Sequence, residues 1–197
     1  MSNVRRRKYT MSQFVAEFMR FTAPDLAALE TSIAEKRLKL AAAVRTGEAL
    51  AVVDTAGGLG SMLTTARLEA EARRLLEEHM HHVEAVVHHE PAGWYWNAYA
   101  TALQYCSERA MAEKYFVKSI ELARAGGWRS LEALALHHWG RSLAEQERFA
   151  EAESRISEAL AIRVELNEPR QESSRRALVE LSALQGGGRH QHARSDA

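Results

Sequence analysis

Apolar and polar positions follow one another along this chain with the spacing of amphipathic helices, most clearly over residues 139–160, WGRSLAEQERFAEAESRISEAL. Large and small residues recur there three or four positions apart on either side of a polar stretch at 146–148. Residues at that spacing share one face of an α-helix. The pattern predicts two helices joined by a short turn, with Phe149 packed from the turn against the first helix.

The same pattern occurs three times, with a spacing of 40 residues and no gaps. Five columns keep their size class in every copy: Leu59, Tyr99 and Trp139; Gly60, Ala100 and Gly140; Leu63, Leu103 and Leu143; Ala72, Ala112 and Ala152; Leu76, Phe116 and Ile156. A fixed period of this length is typical of helical repeat arrays. We therefore expect three stacked helical hairpins.

The small residues in these columns have a steric explanation. Two antiparallel helices approach closely only where one of the backbones lacks a bulky side chain. Gly140 and Ala152 would mark that crossing in the third copy, and the large residues near them would fill the space around it. A Gly140→Leu exchange should therefore overpack the hairpin and cost about 1–3 kcal/mol or more.

The remaining segments are divided by helix breakers and caps. We expect a flexible leader at 1–10, an N-terminal helical cap at 11–46, helical repeats with a capping helix at 47–184, and a disordered tail at 185–197. The cap would contain a short helix at 12–21 and a longer one after Pro24 and Asp25. The capping helix would run over 171–184.

Glycine and proline mark the expected boundaries of the three copies. Gly57 and Gly58 fall inside the first helix of the first copy, where we expect a kink or a break, because glycine costs about 1 kcal/mol relative to alanine in a helix. The copies are expected to end at 91–93, at 126–127 and at Pro169.

The third copy resembles a tetratricopeptide repeat (TPR). In WGxxLxxxxRFxEAxxxxxEAL, the first helix carries a large, a small and a large residue at the positions that the family uses. An aromatic residue follows at the turn, and the second helix carries Ala, a large apolar residue and Ala. The earlier copies match less well, with Glu69 and Arg109 in place of the aromatic residue. The period resembles the long-repeat variety of bacterial regulators and kinesin light chains.

This resemblance covers residues 50–184 and implies an all-α fold. The fold would be a right-handed α-solenoid of about three TPR-like helix hairpins, with an N-terminal helical cap and a C-terminal capping helix. The family's motifs are informative about fold and say little about function.

Composition and charge exclude several classes of partner. The 26 basic residues balance the 26 acidic residues, so the net charge favours neither nucleic acid nor a membrane surface. The basic cluster at 5–8 is expected to stay solvated in the leader. Cys106 is the single cysteine and cannot form an internal disulfide, and no apolar run is long enough to span a membrane. We expect a cytoplasmic protein.

No catalytic arrangement is found in the sequence. Gly57, Gly58 and Gly60 are not followed by the Lys-Ser or Lys-Thr of a phosphate-binding loop. Ser61 lacks the flanking pattern of a nucleophile elbow. We therefore expect a protein that is not an enzyme, with no cofactor and no metal ligand set.

Histidines and tryptophans each allow two interpretations. Seven of the nine histidines lie at 79–89 and 137–138. They could form a metal site or a pH-sensing site, but the better supported interpretation is a polar extension of a helix. Trp96 falls in a packing column and is expected in the core. Trp94 lies on the opposite side and would either anchor a binding partner or cover the preceding loop.

The resemblance places the first helix of each hairpin along a concave groove. Its groove-facing positions map onto Asp54, Ser61 and Thr65 in the first copy, and the candidate protein- or peptide-binding residues are Trp94, Asn97, Thr101, Gln104, Tyr105, His137, Arg141 and Glu145. Their amide and hydroxyl groups suit the backbone of an extended peptide. Arg141 could pair with a ligand carboxylate, and Glu145 with Arg141 or with a ligand base.

Two functional hypotheses follow. The first is an adaptor or regulatory module that binds a protein or peptide segment in the groove. The second is a self-associating structural or sensory unit, a homodimer or a metal-responsive protein that uses its histidine patches. A small secretion chaperone is a less favoured third, because such proteins usually have the shorter repeat.

Overall fold

The computed structural model describes residues 18–192, with side chains as far as Gln185. Over that range the chain forms eight α-helices and no strand: α1 Leu26–Thr46, α2 Ala49–Thr65, α3 Glu69–His79, α4 Glu90–Tyr105, α5 Arg109–Gly126, α6 Arg129–Ala144, α7 Phe149–Glu165 and α8 Gln171–His192. The predicted all-α class is confirmed. Helices α2–α3, α4–α5 and α6–α7 are the three predicted hairpins.

The turn inside each hairpin repeats with the same 40-residue period. Arg67, Ser107 and Glu147 have positive φ angles of 65°, 66° and 60°. The next residue of each turn donates its N–H to a carbonyl of the preceding helix: Leu68 to Leu63 at 2.9 Å, Glu108 to Leu103 at 2.9 Å and Arg148 to Leu143 at 3.0 Å. This left-handed residue followed by a returning hydrogen bond is a common way to end a helix.

The small residues lie where the helices of a hairpin cross. A Cβ atom added to Gly140 would lie 2.5 Å from Cγ1 of Ile156 and 3.1 Å from the carbonyl oxygen of Ala152. A Cβ atom on Gly60 would lie 2.6 Å from Cδ1 of Leu76. The steric explanation drawn from the columns is confirmed, because a Cβ atom on either glycine would overlap a side chain of the facing helix.

The expected break at Gly57 and Gly58 is wrong, since α2 runs without interruption. An added Cβ on Gly57 would lie 3.2 Å from Cα of Tyr95, so this glycine lets α2 approach α4 closely. Gly58 instead faces the flexible end of the Lys36 side chain. The energy lost in helix propensity at Gly57 is offset by packing between hairpins.

The boundary between the first two hairpins also differs from expectation. Helix α3 ends at His79, and two short 3₁₀ turns, Met80–His82 and Glu84–Val86, carry the histidine-rich segment instead of a longer helix. Pro91 does not end a repeat. It lies in the first turn of α4, where its missing N–H costs no hydrogen bond.

Two other expected helix ends are confirmed. Gly127 caps α5 with φ 72°, and Trp128 donates its N–H to the carbonyl of Ala123 at 2.8 Å. Helix α7 ends before Pro169, and α8 begins at Gln171 as predicted. Helix α8 continues to His192, past the residue where we expected the helix to stop.

The N-terminal segment differs in part from the expected cap. Helix α1 is present, and Asp25 caps it by accepting the N–H of Ala28 at 3.0 Å. Most of the helix expected at 12–21 lies outside the described residues, and residues 18–21 form a turn and irregular chain. We call residues 18–22 the N-terminal strap.

The core has one large part and two smaller ones. The large cluster joins buried apolar residues of α1 to α5, and the smaller clusters lie among α5 to α8 and the strap. Trp139 packs against all three. No helix within the described part of the chain is long and apolar enough to span a membrane.

Candidate functional site

Two adjoining cavities open along the first helices of the hairpins. The groove cavity, of about 330 Å³, is lined by α2, α4, α6 and the strap, and includes Ser61, Thr65, Asn97, Thr101, Tyr105 and Arg141. The second, of about 610 Å³, lies between α6, α8 and the strap. Because five arginines line it, we call it the arginine cavity: Arg20, Arg141, Arg163, Arg170 and Arg176.

Most of the predicted groove residues meet at these cavities. Asn97, Thr101 and Tyr105 lie one helical turn apart on α4 and line the groove cavity, as turn-spaced residues on one helix face should. His137 lines the arginine cavity, and Arg141 lines both. Their role as binding residues stays a prediction.

Asn97 forms a hydrogen bond through its backbone carbonyl, but its side-chain oxygen has no partner among the described residues. Its backbone carbonyl accepts a hydrogen bond from the hydroxyl of Thr101 at 2.8 Å. Its side chain is 4% exposed, and among the described residues its Oδ1 has no hydrogen-bond partner. A buried amide oxygen without a partner costs about 1–3 kcal/mol, so a donor from a bound molecule would be stabilising here.

Tyr105 and Arg141 form the centre of a small polar network. The hydroxyl of Tyr105 accepts a hydrogen bond from Arg141 Nη2 at 2.5 Å, and the guanidinium of Arg20 lies 3.7 Å from the centre of the Tyr105 ring. Burial raises the pKa of the Tyr105 hydroxyl. Arg20 also pairs with Glu69 and donates to the carbonyl of Thr64. The phenol therefore stays protonated between two guanidinium groups.

The N-terminal strap lies across the groove, which the residue pattern did not indicate. Phe18 is 1% exposed in the cluster formed with Leu143 and Leu181, and its carbonyl accepts a hydrogen bond from Arg141 Nε at 3.2 Å. The hydroxyl of Thr22 lies 3.5 Å from Arg67 Nη2. No periodicity connects residue 18 with residue 141, so sequence spacing could not have placed this contact.

Gln104 and Glu145 do not line either cavity. Gln104 Nε2 donates to Glu145 Oε2 at 2.9 Å, and Arg109 pairs with the same oxygen at 2.7 Å. Of the two partners considered for Glu145, Arg141 makes no direct hydrogen bond to it among the described residues, and a ligand base stays a prediction. Burial raises the pKa of Glu145, and the two donors oppose that rise.

The aromatic residues near the start of α4 do not line either cavity. Trp94 is partly buried, and its indole N–H donates to Glu90 at 3.0 Å. Trp96 is buried and stacks on Tyr115 with ring centres 5.0 Å apart, as a core residue should. Asp54 is exposed and lies outside both cavities. Trp94 therefore stays a predicted binding residue, but it lies outside the groove cavity.

Two adjacent histidines line the cavities and are uncharged at neutral pH. Burial, with the nearby Arg163 and Arg141, holds the pKa of His137 well below its ordinary value and that of His138 at about 3. Nδ1 of His137 lies 3.2 Å from the hydroxyl of Ser174 on α8. Within the described residues, no group of three or more His, Cys, Asp and Glu side chains is arranged to hold a metal ion.

Comparison with solved structures addresses the fold. A crystal structure of nearly identical TPR-like repeats, from a Podosopora anserina protein described as a kinesin light chain, matches with a TM-score of 0.61 and 14% sequence identity over 94% of this chain and 89% of that chain. This protein has the fold of a TPR-like repeat array. A variant of the same repeats gives a TM-score of 0.63 at 14% identity, over 94% of this chain and 88% of that chain.

The predicted TPR-like resemblance and fold class are thus confirmed. At this identity the match concerns fold alone. No protein-family model and no curated protein matches the sequence. TPR-like arrays are generally scaffolds for protein interaction, because stacked hairpins present an extended concave surface. In this TPR-like array that surface carries the groove cavity and the arginine cavity.

Proposed function

We propose that this protein is a non-enzymatic adaptor or regulatory module that binds a protein or peptide segment in the groove cavity. The observation that carries the proposal is the unpartnered Oδ1 of Asn97 in a groove lined by hydroxyl, amide and guanidinium groups. An extended peptide offers backbone N–H groups as donors and carbonyls as acceptors, and this lining complements both.

The strap is an internal example of chain held by this surface. Arg141 donates to the backbone carbonyl of Phe18, and the Phe18 side chain is buried beside α6 and α8. Backbone recognition by a fixed guanidinium, with a pocket for a side chain, is how peptide-binding grooves combine affinity with selectivity. A partner segment would bind further along the groove, where Oδ1 of Asn97 could accept a backbone N–H.

A peptide-binding test needs a variant that blocks the groove without removing a buried hydrogen bond. Ser61 is exposed and lines the groove cavity, so Ser61→Trp would fill part of it. Ser157 is exposed on α7, a second helix, and lies outside both cavities. Ser157→Trp is therefore the matched control, since it makes the same exchange on another face.

The wild-type protein would be screened against a random peptide library displayed on phage. Enriched peptides would be synthesised and their Kd values measured by fluorescence anisotropy. We expect Ser61→Trp to weaken binding by about tenfold or more, a loss of about 1.4 kcal/mol, and Ser157→Trp to bind as the wild type does. Failure to enrich any peptide, or equal binding by both variants, would contradict the proposal.

Self-association is the second candidate, because large apolar side chains stand exposed on α1. Leu38 is 74% exposed, and Leu26 and Val44 are exposed on the same helix. Several exposed apolar residues on one terminal helix are a feature of interaction surfaces. Light scattering after size-exclusion chromatography tests this candidate. A homodimer that Leu38→Glu converts to a monomer would support it, and a monomer at every concentration would exclude it.

A further inference from the structure

The arginine cavity carries positive charge in addition to the Arg141 guanidinium that the peptide proposal uses. Five of its lining residues are arginines, and no described residue that lines it carries a carboxylate. The other lining groups include His137, His138 and Ser173. Arginines that line one cavity repel one another, and the buried part of such a cavity screens that repulsion less than bulk water does.

Arg163 is the most deeply buried of these cations. It is 2% exposed, and its Nη1 donates only to neutral groups, the hydroxyl of Ser174 at 2.7 Å and the carbonyl of Arg170 at 3.2 Å. Its Nε has no partner among the described residues. Glu168 acts on Arg163 electrostatically, but its Oε1 accepts a hydrogen bond from Ser130 instead.

Arg141 is buried in the same way, with 7% of its surface exposed. Its hydrogen bonds go to the Phe18 carbonyl and the Tyr105 hydroxyl, both of them neutral acceptors. Glu145 is close enough to Arg141 to act on it electrostatically, but its hydrogen bonds come from Gln104 and Arg109. Buried charges without a matched counter-charge are costly, so an anion beside Arg141 and Arg163 would be stabilising.

Two further arginines stand at the solvent side of the cavity. Arg170 and Arg176 are exposed, one before α8 and one on it, and both line the cavity. Guanidinium groups bind carboxylate and phosphate oxygens through paired N–H donors. Buried arginines at the base and exposed arginines at the mouth would contact a ligand from two sides. The volume of about 610 Å³ lies within the range of small-molecule sites.

We propose that the arginine cavity binds a small oxyanion that carries two or more negative charges, in the form of phosphate or carboxylate groups. This ligand would bind beside the peptide of the proposed function, because the two cavities share Arg20, Arg141 and Arg170. Its guanidinium contacts would come from Arg163 and Arg141 at the base and from Arg170 and Arg176 at the mouth. Because α8 and the strap form two walls, the bound anion would also hold these terminal segments against α6.

Isothermal titration calorimetry with pyrophosphate and with citrate, at constant ionic strength, tests the proposal and distinguishes phosphate from carboxylate ligands. The test variant is Arg170→Gln with Arg176→Gln, because both residues are exposed and their exchange leaves the core unchanged. The matched control is Arg74→Gln with Arg175→Gln. These two arginines are also exposed and lie outside the cavity. Replacing them removes the same amount of charge as the test variant does.

We expect saturable one-to-one binding of at least one of the two anions by the wild type. The Arg170→Gln, Arg176→Gln variant should bind about tenfold more weakly or worse, and the control variant within about twofold of the wild type. Stronger binding of pyrophosphate would identify a phosphate ligand, and stronger binding of citrate a carboxylate ligand. Absence of saturable binding to either anion, or an equal effect of both double variants, would overturn the proposal.

Discussion

Two glycines that look alike in sequence have opposite structural roles. Gly140 lies against Ile156 and the Ala152 backbone, whereas Gly58 faces only the mobile end of Lys36. A methyl group at position 140 has to displace a helix, but at position 58 it only displaces a flexible side chain. The energetic effect of adding a methyl group therefore depends on the partner helix rather than on the glycine's own helix.

Alanine at these two positions should shift stability in opposite directions. Gly140→Ala should lower the free energy of unfolding by about 1–3 kcal/mol through overpacking. Gly58→Ala should raise it by about 0.5–1 kcal/mol, because alanine loses less backbone entropy in a helix. Urea denaturation followed by circular dichroism measures both values. Equal effects in one direction would show that propensity alone decides.

The buried His137 should make stability depend on pH. Its pKa in the folded protein lies well below 6.5, so the unfolded chain binds the proton more readily. Stability is then unaffected above pH 6.5 and falls as the pH is lowered through that value, by at most about 1.4 kcal/mol per pH unit for each such histidine.

Between pH 7 and pH 5.5 the wild type should therefore lose about 1 kcal/mol more stability than His137→Gln, whose side chain does not titrate. Urea denaturation at a series of pH values gives the comparison. The two proteins should differ by a constant amount above pH 7, which serves as the internal control. Parallel pH dependence below pH 6.5 would show that His137 is protonated in the folded state.

At the scale of elements, the strap is attached through the side chains of Phe18 and Arg20. Phe18 is buried among residues of α6 and α8, while Phe21, three residues later, is 62% exposed. The strap has no regular secondary structure of its own, so burial of Phe18, the hydrogen bond from Arg141 to the Phe18 carbonyl and the contacts of Arg20 hold it against the hairpins. Local opening of such a segment costs less than global unfolding.

Phe18→Ala should release the strap and leave the hairpins folded. We expect amide hydrogen exchange of residues 18–22 to become about tenfold faster, because the apolar burial that holds the segment is lost. Helices α4 and α5 should keep their protection. Phe21→Ala is the matched control and should exchange as the wild type does. Unchanged exchange in Phe18→Ala would show that other contacts hold the strap.

At the scale of the whole molecule, Trp139 joins parts of the core that are otherwise separate. It packs against the large cluster of α1 to α5 and against both smaller clusters, and Arg155 lies 4.5 Å from its ring centre. In a repeat array each hairpin contacts mainly its neighbours, so cooperative unfolding depends on the interfaces between them.

Trp139→Ala should cost about 3–5 kcal/mol and separate the unfolding of α6–α8 from that of α1–α5. Hydrogen exchange measured in increasing denaturant should show α6–α8 losing protection first. Trp94→Ala is the control, because Trp94 is only partly buried and lies in none of the three clusters. A single unfolding transition with only a small loss of stability would mean that the packing between α1–α5 and α6–α8 does not depend on the Trp139 indole.

The outcomes at individual positions show which kinds of feature sequence patterns can predict. The columns of Gly60, Ala100 and Gly140 located the hairpin crossings, because contacts within a hairpin lie close in sequence and repeat. The same approach failed at Gly57, whose packing partner, Tyr95, lies on another hairpin. It also missed the strap and the pairing of Glu145 with Arg109, which connect residues that no period relates.

The sequence by itself determined that this chain is all-α and that three hairpins repeat every 40 residues, and its resemblance to tetratricopeptide repeats placed a polar surface on the first helices. Tertiary structure alone decided that the strap crosses that surface, that Gln104 and Arg109 both donate to Glu145, and that five arginines surround one cavity. The physical reason is the range of the interactions. Helix formation and hairpin packing depend on neighbours in sequence, whereas the charges and cavities of the groove depend on side chains that only the complete fold brings together.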